Sequence, residues 1–190
     1  SHPKLKLYVR EGLPNYLLEE LATGALDLLL FPLPITEAEF ETRSLFREPL
    51  SVVMHFDHPF AREDSIAPSM LKGETIMALE RGHRLYDQVE RICDQHGALL
   101  SSEYEGTSLD TLRQMVAMGM GLSLLPALYV RSEVTSQELV LARLFRGTPP
   151  SRTIGMVWRR STAREAEYQD LGDEISEILA RCAREVIVLG

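Results

Sequence analysis

GTSLDTLRQMVAMGMGLSLLP, residues 106–126, reads as a helix bounded at both ends and followed at once by a short buried strand. Thr107 and Ser108 are both good N-caps, and Thr107 with Asp110 three places on resembles a capping box in its weaker Asp form. Leu109, Leu112, Met115 and Val116 fall on one helical face. Gly119 and Gly121 stop the helix, because glycine takes the left-handed conformation without a Cβ clash. Leu122 to Leu125 then suits a strand covered on both faces, and Pro126 closes it. A helix feeding a buried strand across a tight glycine turn is one half of an α/β unit. The hydroxyls and amides at its start are the first candidate binding surface.

The same pattern extends outward in both directions. Lys4 to Val9 alternates and predicts a strand, and Pro14 opens a helix with Leu17, Leu18 and Leu21 as its stripe and Gly24 at its end. Leu26 to Phe31 reads as a central parallel strand. The prolines of FPLPI (31–35) forbid a continued ladder, and the acidic stretch after them looks solvated. Leu50 to Phe56 predicts a strand broken by His58-Pro59-Phe60, Ile66 to Leu71 one short helix, and Glu74 to Leu79 a strand. Leu85, Val89, Ile92 and Cys93 share a helix face that Gly97 terminates, and Ser102 to Glu105 predicts a strand. Downstream, Leu139 to Leu144 and Thr153 to Trp158 read as strands. A long amphipathic helix follows from about Ala163, with Leu171, Ile175, Ile178, Leu179 and Cys182 as a stripe expected to pack within its own lobe.

Strands alternating with helices argue for an α/β fold. Breaks near Phe46–Pro49 and near residue 149 divide the chain into two Rossmann-like lobes, residues 1–47 with 150–190 and residues 48–149, with a cleft as the natural ligand site. Ser1-His2-Pro3 starts abruptly, as though an earlier strand and helix were cut off.

The chain has 190 residues, 45% of them apolar and 25% charged, as in an ordinary globular protein with a real core. A net charge of −8 argues against these residues gripping a phosphate backbone. No apolar run reaches the roughly 20 residues of a membrane span. Two cysteines, Cys93 and Cys182, are too few for a disulfide framework and fit a reducing cytoplasm. Neither metal-ligand spacing nor a cofactor loop appears. There is no Ser/His/Asp or Cys/His constellation, so an enzyme is the weakest functional class.

VREGLPNYLLEELATGALDLLL and GTSLDTLRQMVAMGMGLSLLPALYV together resemble, in order and over nearly the whole chain, the effector-binding domain of LysR-type transcriptional regulators. The resemblance implies a type II periplasmic-binding-protein-like fold and assembly into a homodimer or tetramer. It also implies promoter DNA bound through an N-terminal winged helix-turn-helix that is not among these residues. GHRLYDQVERIC and RTIGMVWR are further similar to the peroxide-sensing OxyR branch. In that branch a reactive cysteine directly follows the histidine and a second lies nine residues later. Here His83 is followed by Arg84, and Cys93 stands at the second position. An arginine forms neither a sulfenic acid nor a disulfide, so the resemblance leaves open a sensor of a small molecule or altered peroxide chemistry through Cys93. A free solute-binding protein of the same shape is a third possibility.

The candidate effector residues are His83, Arg84, Thr107 and Ser108, with Phe31, Pro32 and Leu33 after a strand end, where open α/β sheets bind ligands. Two helix N-termini meeting across the gap between the lobes would offer unpaired N–H groups to an anion, and Arg84 a bidentate clamp. Against this, Thr107 and Ser108 serve equally as plain caps, Arg84 as a surface partner of Asp87, and His83 as a structural histidine. Residues 31–33 are equally a hinge loop. Cys93, on the apolar stripe of its helix, reads as a buried inert thiol before a redox group, and Cys182 as structural.

Overall fold

The computed structural model describes residues 6–134 and 139–189. In chain order its elements are α1 (Pro14–Thr23), β1 (Leu28–Leu33), β2 (Phe40–His55), β3 (Ser65–Ile66), β4 (Thr75–Leu79), α2 (Arg84–His96), β5 (Leu99–Gly106), α3 (Leu109–Ala117), β6 (Leu122–Pro126), α4 (Ala127–Tyr129), β7 (Val140–Phe145), β8 (Ser151–Arg159), α5 (Glu165–Cys182) and β9 (Ile187–Val188). Short 3-10 turns fill Pro59–Arg62 and Pro68–Leu71. The chain divides into two compact units, Ser1–Arg47 with Arg152–Gly190, and Glu48–Ser151.

In the first unit, β1 pairs antiparallel with β8, from Leu28 opposite Trp158 to Leu33 opposite Thr153. β8 adjoins β2, and β9 pairs with β2 at Phe46 and Arg47. Leu18 and Leu21 of α1 pack on Leu29, Phe31, Phe40 and Val157. Pro14 is at the first turn of α1 and Gly24 ends it in the left-handed conformation, both where the sequence put them. Two readings are corrected. β1 is not a central parallel strand, for the pairing found is antiparallel and Leu30 is exposed. Lys6 to Val9 forms no strand, since Leu7, Tyr8 and Val9 lie exposed and apart from any ladder; Lys4 and Leu5 lie outside the described residues.

The last helix is also turned from its expected phase. α5 buries Tyr168 and Gly172, while Leu171, Ile175 and Leu179 are only half-buried and Ile178 and Cys182 are exposed. Two contacts set that phase. The Tyr168 ring lies 5.9 Å from that of Trp158. Arg43 of β2 lays its guanidinium over Gly172, donating from Nη1 to the Gln169 carbonyl at 2.6 Å and from Nη2 to Asp173 Oδ1 at 2.5 Å.

The second unit is built on a sheet ordered β3-β7-β2-β6-β4-β5. β6 lies between β2, antiparallel, and β4, parallel, and all its residues are buried. That is the doubly covered strand read from LSLLP, and each fully buried Leu there contributes about 1.5–3 kcal/mol. Gly121 lets β6 start hard against β4, because a Cβ on it would lie 2.8 Å from the Thr75 carbonyl oxygen. The break read near Phe46–Pro49 is where the two units divide, between Arg47 and Glu48; β2 nevertheless runs unbroken through Pro49 and changes partner there, from β9 at Phe46–Arg47 to β6 at Leu50. The stretch read as solvated contributes buried Phe40 and Leu45 to the same strand. The single helix expected over Ile66–Leu71 is β3 followed by a 3-10 turn.

Gly155 brings β8 onto β2, where a Cβ would stand 2.5 Å from the Arg43 carbonyl oxygen and from Leu33 Cδ1. Backbone on one side leaves no room to yield. Gly155→Ala is expected to cost about 1–3 kcal/mol in urea unfolding, with no loss expected from alanine at Gly73, whose Cβ would meet nothing within 4 Å, beyond the strain of its positive φ.

Candidate functional site

β4 pairs parallel with both neighbours, so Ile76 stands opposite Leu100 of β5 and Leu122 of β6. The β4–β5 ladder ends at Leu79 opposite Gly106, and the Glu80 N–H donates to the Gly106 carbonyl at 3.0 Å. The chain therefore leaves β4, β5 and β6 on one edge of the sheet, and α2, α3 and α4 start there. His83-Arg84 and Thr107-Ser108 do come to the same end of the structure. They do so side by side within the second unit, not across a gap between two lobes, because adjacent parallel strands discharge in the same direction.

The three helix starts are met differently. At α2 the N-cap is His83, in extended backbone and with no hydrogen bond from its side chain to the helix; its Nε2 lies 3.9 Å from Glu80 Oε1. His83 and Arg84, the first residue of α2, are half-buried. Beside them the Arg81 guanidinium lies over the Tyr86 ring at 4.9 Å, and the Tyr86 hydroxyl donates to Glu90 Oε1 at 3.1 Å. Burial, then that bond, pushes the Tyr86 pKa up.

At α3 the cap is Ser108, whose Oγ accepts the Thr111 N–H at 3.1 Å. Thr107 is exposed and precedes the cap, so the capping box with Asp110 does not form. Asp110 is taken up instead by side chains further along. Its Oδ1 accepts from Arg113 Nε at 3.1 Å, from Arg113 Nη2 at 2.8 Å and from the Tyr129 hydroxyl at 3.3 Å, and its Oδ2 from Gln114 Nε2 at 2.8 Å. Arg113 above all holds the Asp110 carboxyl below the usual carboxylate range. Tyr129 is raised, chiefly by burial.

At α4 the protein supplies its own anion. Glu48 is 2% exposed, and its Oε2 accepts the Leu128 N–H at 3.3 Å. Neither Glu48 nor the Arg113–Tyr129 pair is legible as a site from sequence spacing. The one clue to Glu48 is a carboxylate directly before Pro49 and the apolar run that follows it.

The remaining candidates fall elsewhere. Phe31 is buried in the first unit's core at 1% exposure, so its side chain is a packing residue; Pro32 and Leu33 are half-buried at the end of β1. Cys93 is 2% exposed among Leu85, Val89 and Ile92. Burial first, then the neighbouring Asp94, pushes its thiol up to about 11. Cys182 is exposed, against the reading that made it structural. Among the described residues no three His, Cys, Asp or Glu side chains come together as a metal site. None of their helices is long and apolar enough to cross a membrane.

Parallel strands whose following helices all start at one end of the sheet make an open α/β arrangement, a class of fold that binds ligands beyond its strand ends. Residues 1–180 match the LysR substrate binding domain, and the chain belongs to that family. It is 37% identical over 177 residues to the hydrogen peroxide-inducible genes activator of Pectobacterium carotovorum subsp. carotovorum, covering 93% of this chain and 58% of that one. It is 36% identical over 175 residues to the DNA-binding transcriptional dual regulator OxyR of Escherichia coli (strain K12), covering 92% and 57%. The reduced form of the OxyR regulatory domain from Pseudomonas aeruginosa superposes with a TM-score of 0.83 at 35% identity, over 92% of this chain and 84% of that one. The fold is thus the periplasmic-binding-protein-like fold of OxyR regulatory domains, and the chain spans somewhat over half the length of these curated relatives.

A thiol with a pKa of about 11 is about one part in a thousand thiolate at pH 8. Iodoacetamide on the native protein is expected to label Cys182 and spare Cys93, with both labelled in urea, as read by peptide mass spectrometry.

Proposed function

We propose that this chain is the effector-sensing domain of a cytoplasmic LysR-type transcription regulator and that its effector is a small anion. The anion is held at the start of α2 by His83 and Arg84, with Thr107 and Ser108 beside it. The observation that carries this reading is the parallel β4–β5 pairing, which sets the two helix N-termini on one sheet edge with an arginine at the first position of α2. Such an edge presents N–H groups and positive dipole ends, and a guanidinium adds paired charge-assisted bonds to a carboxylate or phosphate. Membership of the substrate binding family supports a ligand rather than a reaction. The assembly is a homodimer or tetramer in which ligand binding shifts the balance of two arrangements by its differential affinity for them. Promoter DNA is contacted through a further domain, in keeping with relatives of greater length.

Peroxide sensing is the second reading, favoured by the likeness to hydrogen peroxide-inducible genes activators. Two features weigh against it: an arginine precedes Leu85 where the resembling branch carries its reactive cysteine, and Cys93 is buried with a raised pKa.

Calorimetry with benzoate and with inorganic phosphate separates the two readings. Binding that falls about tenfold or more in Arg84→Ala is expected from the loss of a charge-assisted pair. Unchanged binding would remove Arg84 from the site. Mild peroxide is expected to leave Cys93 unmodified, and a sulfenic acid found there would transfer the function to peroxide.

A further inference from the structure

Asp110 lies in the first turn of α3, two residues past the Ser108 cap. A carboxylate there is drawn to the helix N-terminus and repels any anion bound beside it. All four hydrogen bonds found for its oxygens lead away from the cap, to Arg113, Gln114 and Tyr129. The Arg113 side chain is 16% exposed and grips the carboxylate through two nitrogens, so the pair is shielded from solvent on the arginine side. Tyr129 ties the same carboxylate to α4, the helix after the next strand. The carboxylate of the first turn of α3 is thereby paired with a cation and held in place.

We propose that Arg113 is a positioning residue for anion recognition, touching no ligand itself and acting by neutralising and holding Asp110 at the start of α3. The proposal rests on the anion reading of the site given above. Arg113 thereby decides whether that helix start attracts or repels an anion. Loss of Arg113 alone leaves an uncompensated carboxylate, whereas loss of both charges restores the balance.

Calorimetric titration with benzoate and inorganic phosphate, alongside thermal melts, tests it in the whole chain. Arg113→Ala is expected to weaken both anions about two- to fivefold, with the loss deepening at low salt. The double variant Asp110→Asn, Arg113→Ala is expected to regain wild-type affinity, and Arg113→Lys to fall between. An unchanged Arg113→Ala, or a double variant as weak as the single one, would overturn the proposal and leave Arg113 a packing residue. Wild-type protein that binds neither anion would remove the anion site itself, and this proposal with it.

Discussion

The parallel hydrogen bonding of β4 to β5 and β6 is the constraint on which the second unit depends. A parallel ladder forbids a hairpin, so each strand must return through a crossover. The crossovers here are α2 and α3, with Leu85, Val89, Leu112 and Val116 packed into the same core as the strands. Once Leu79 stands opposite Gly106, both helices must begin on one edge of the sheet. Everything chemically distinctive about the unit follows from what meets those starts: a histidine without a side-chain cap and an arginine at α2, a serine at α3, and a buried glutamate at α4.

The sulfur chemistry follows from the same helix. Cys93 lies on the face of α2 that seals the core, so its low exposure is the result of packing and not of a special pocket. Apolar surroundings raise a thiol pKa and keep it unreactive. Arg84 occupies the opposite situation, at the first position of the helix, where side chains reach past the N-terminus. One helix thus carries both the buried sulfur and the cationic group, about 13 Å apart along its axis.

Much of this was legible from residue order. The α3–β6 unit, the glycine that ends α1 and the glycine that ends α2 all follow from local chemistry that no distant contact needs to confirm. The misreadings share a cause. The strand read from Leu50 begins ten residues earlier, at Phe40, because a proline is tolerated where a strand exchanges one partner for another, and only the partners reveal the exchange. Lys6 to Val9 has the alternation of a strand, but alternation supplies no neighbour, and without one the segment stays outside the sheet. α5 has the periodicity of a helix buried along Leu171 and Ile178, yet its rotation is decided by Arg43 and Trp158, more than a hundred and by ten residues away respectively from the residues they meet.

Residue order by itself therefore determined the fold class, the position of nearly every helix and strand, and the pairing of a histidine and an arginine with a helix start. These rest on caps, glycines and periodicity, all of which act within a few residues. The tertiary structure decided which helix starts share an edge, which carboxylate pairs with which arginine, and that Phe31 belongs to a core and Cys182 to the surface. Those depend on strand register and helix rotation, which are settled by contacts between residues far apart in the chain.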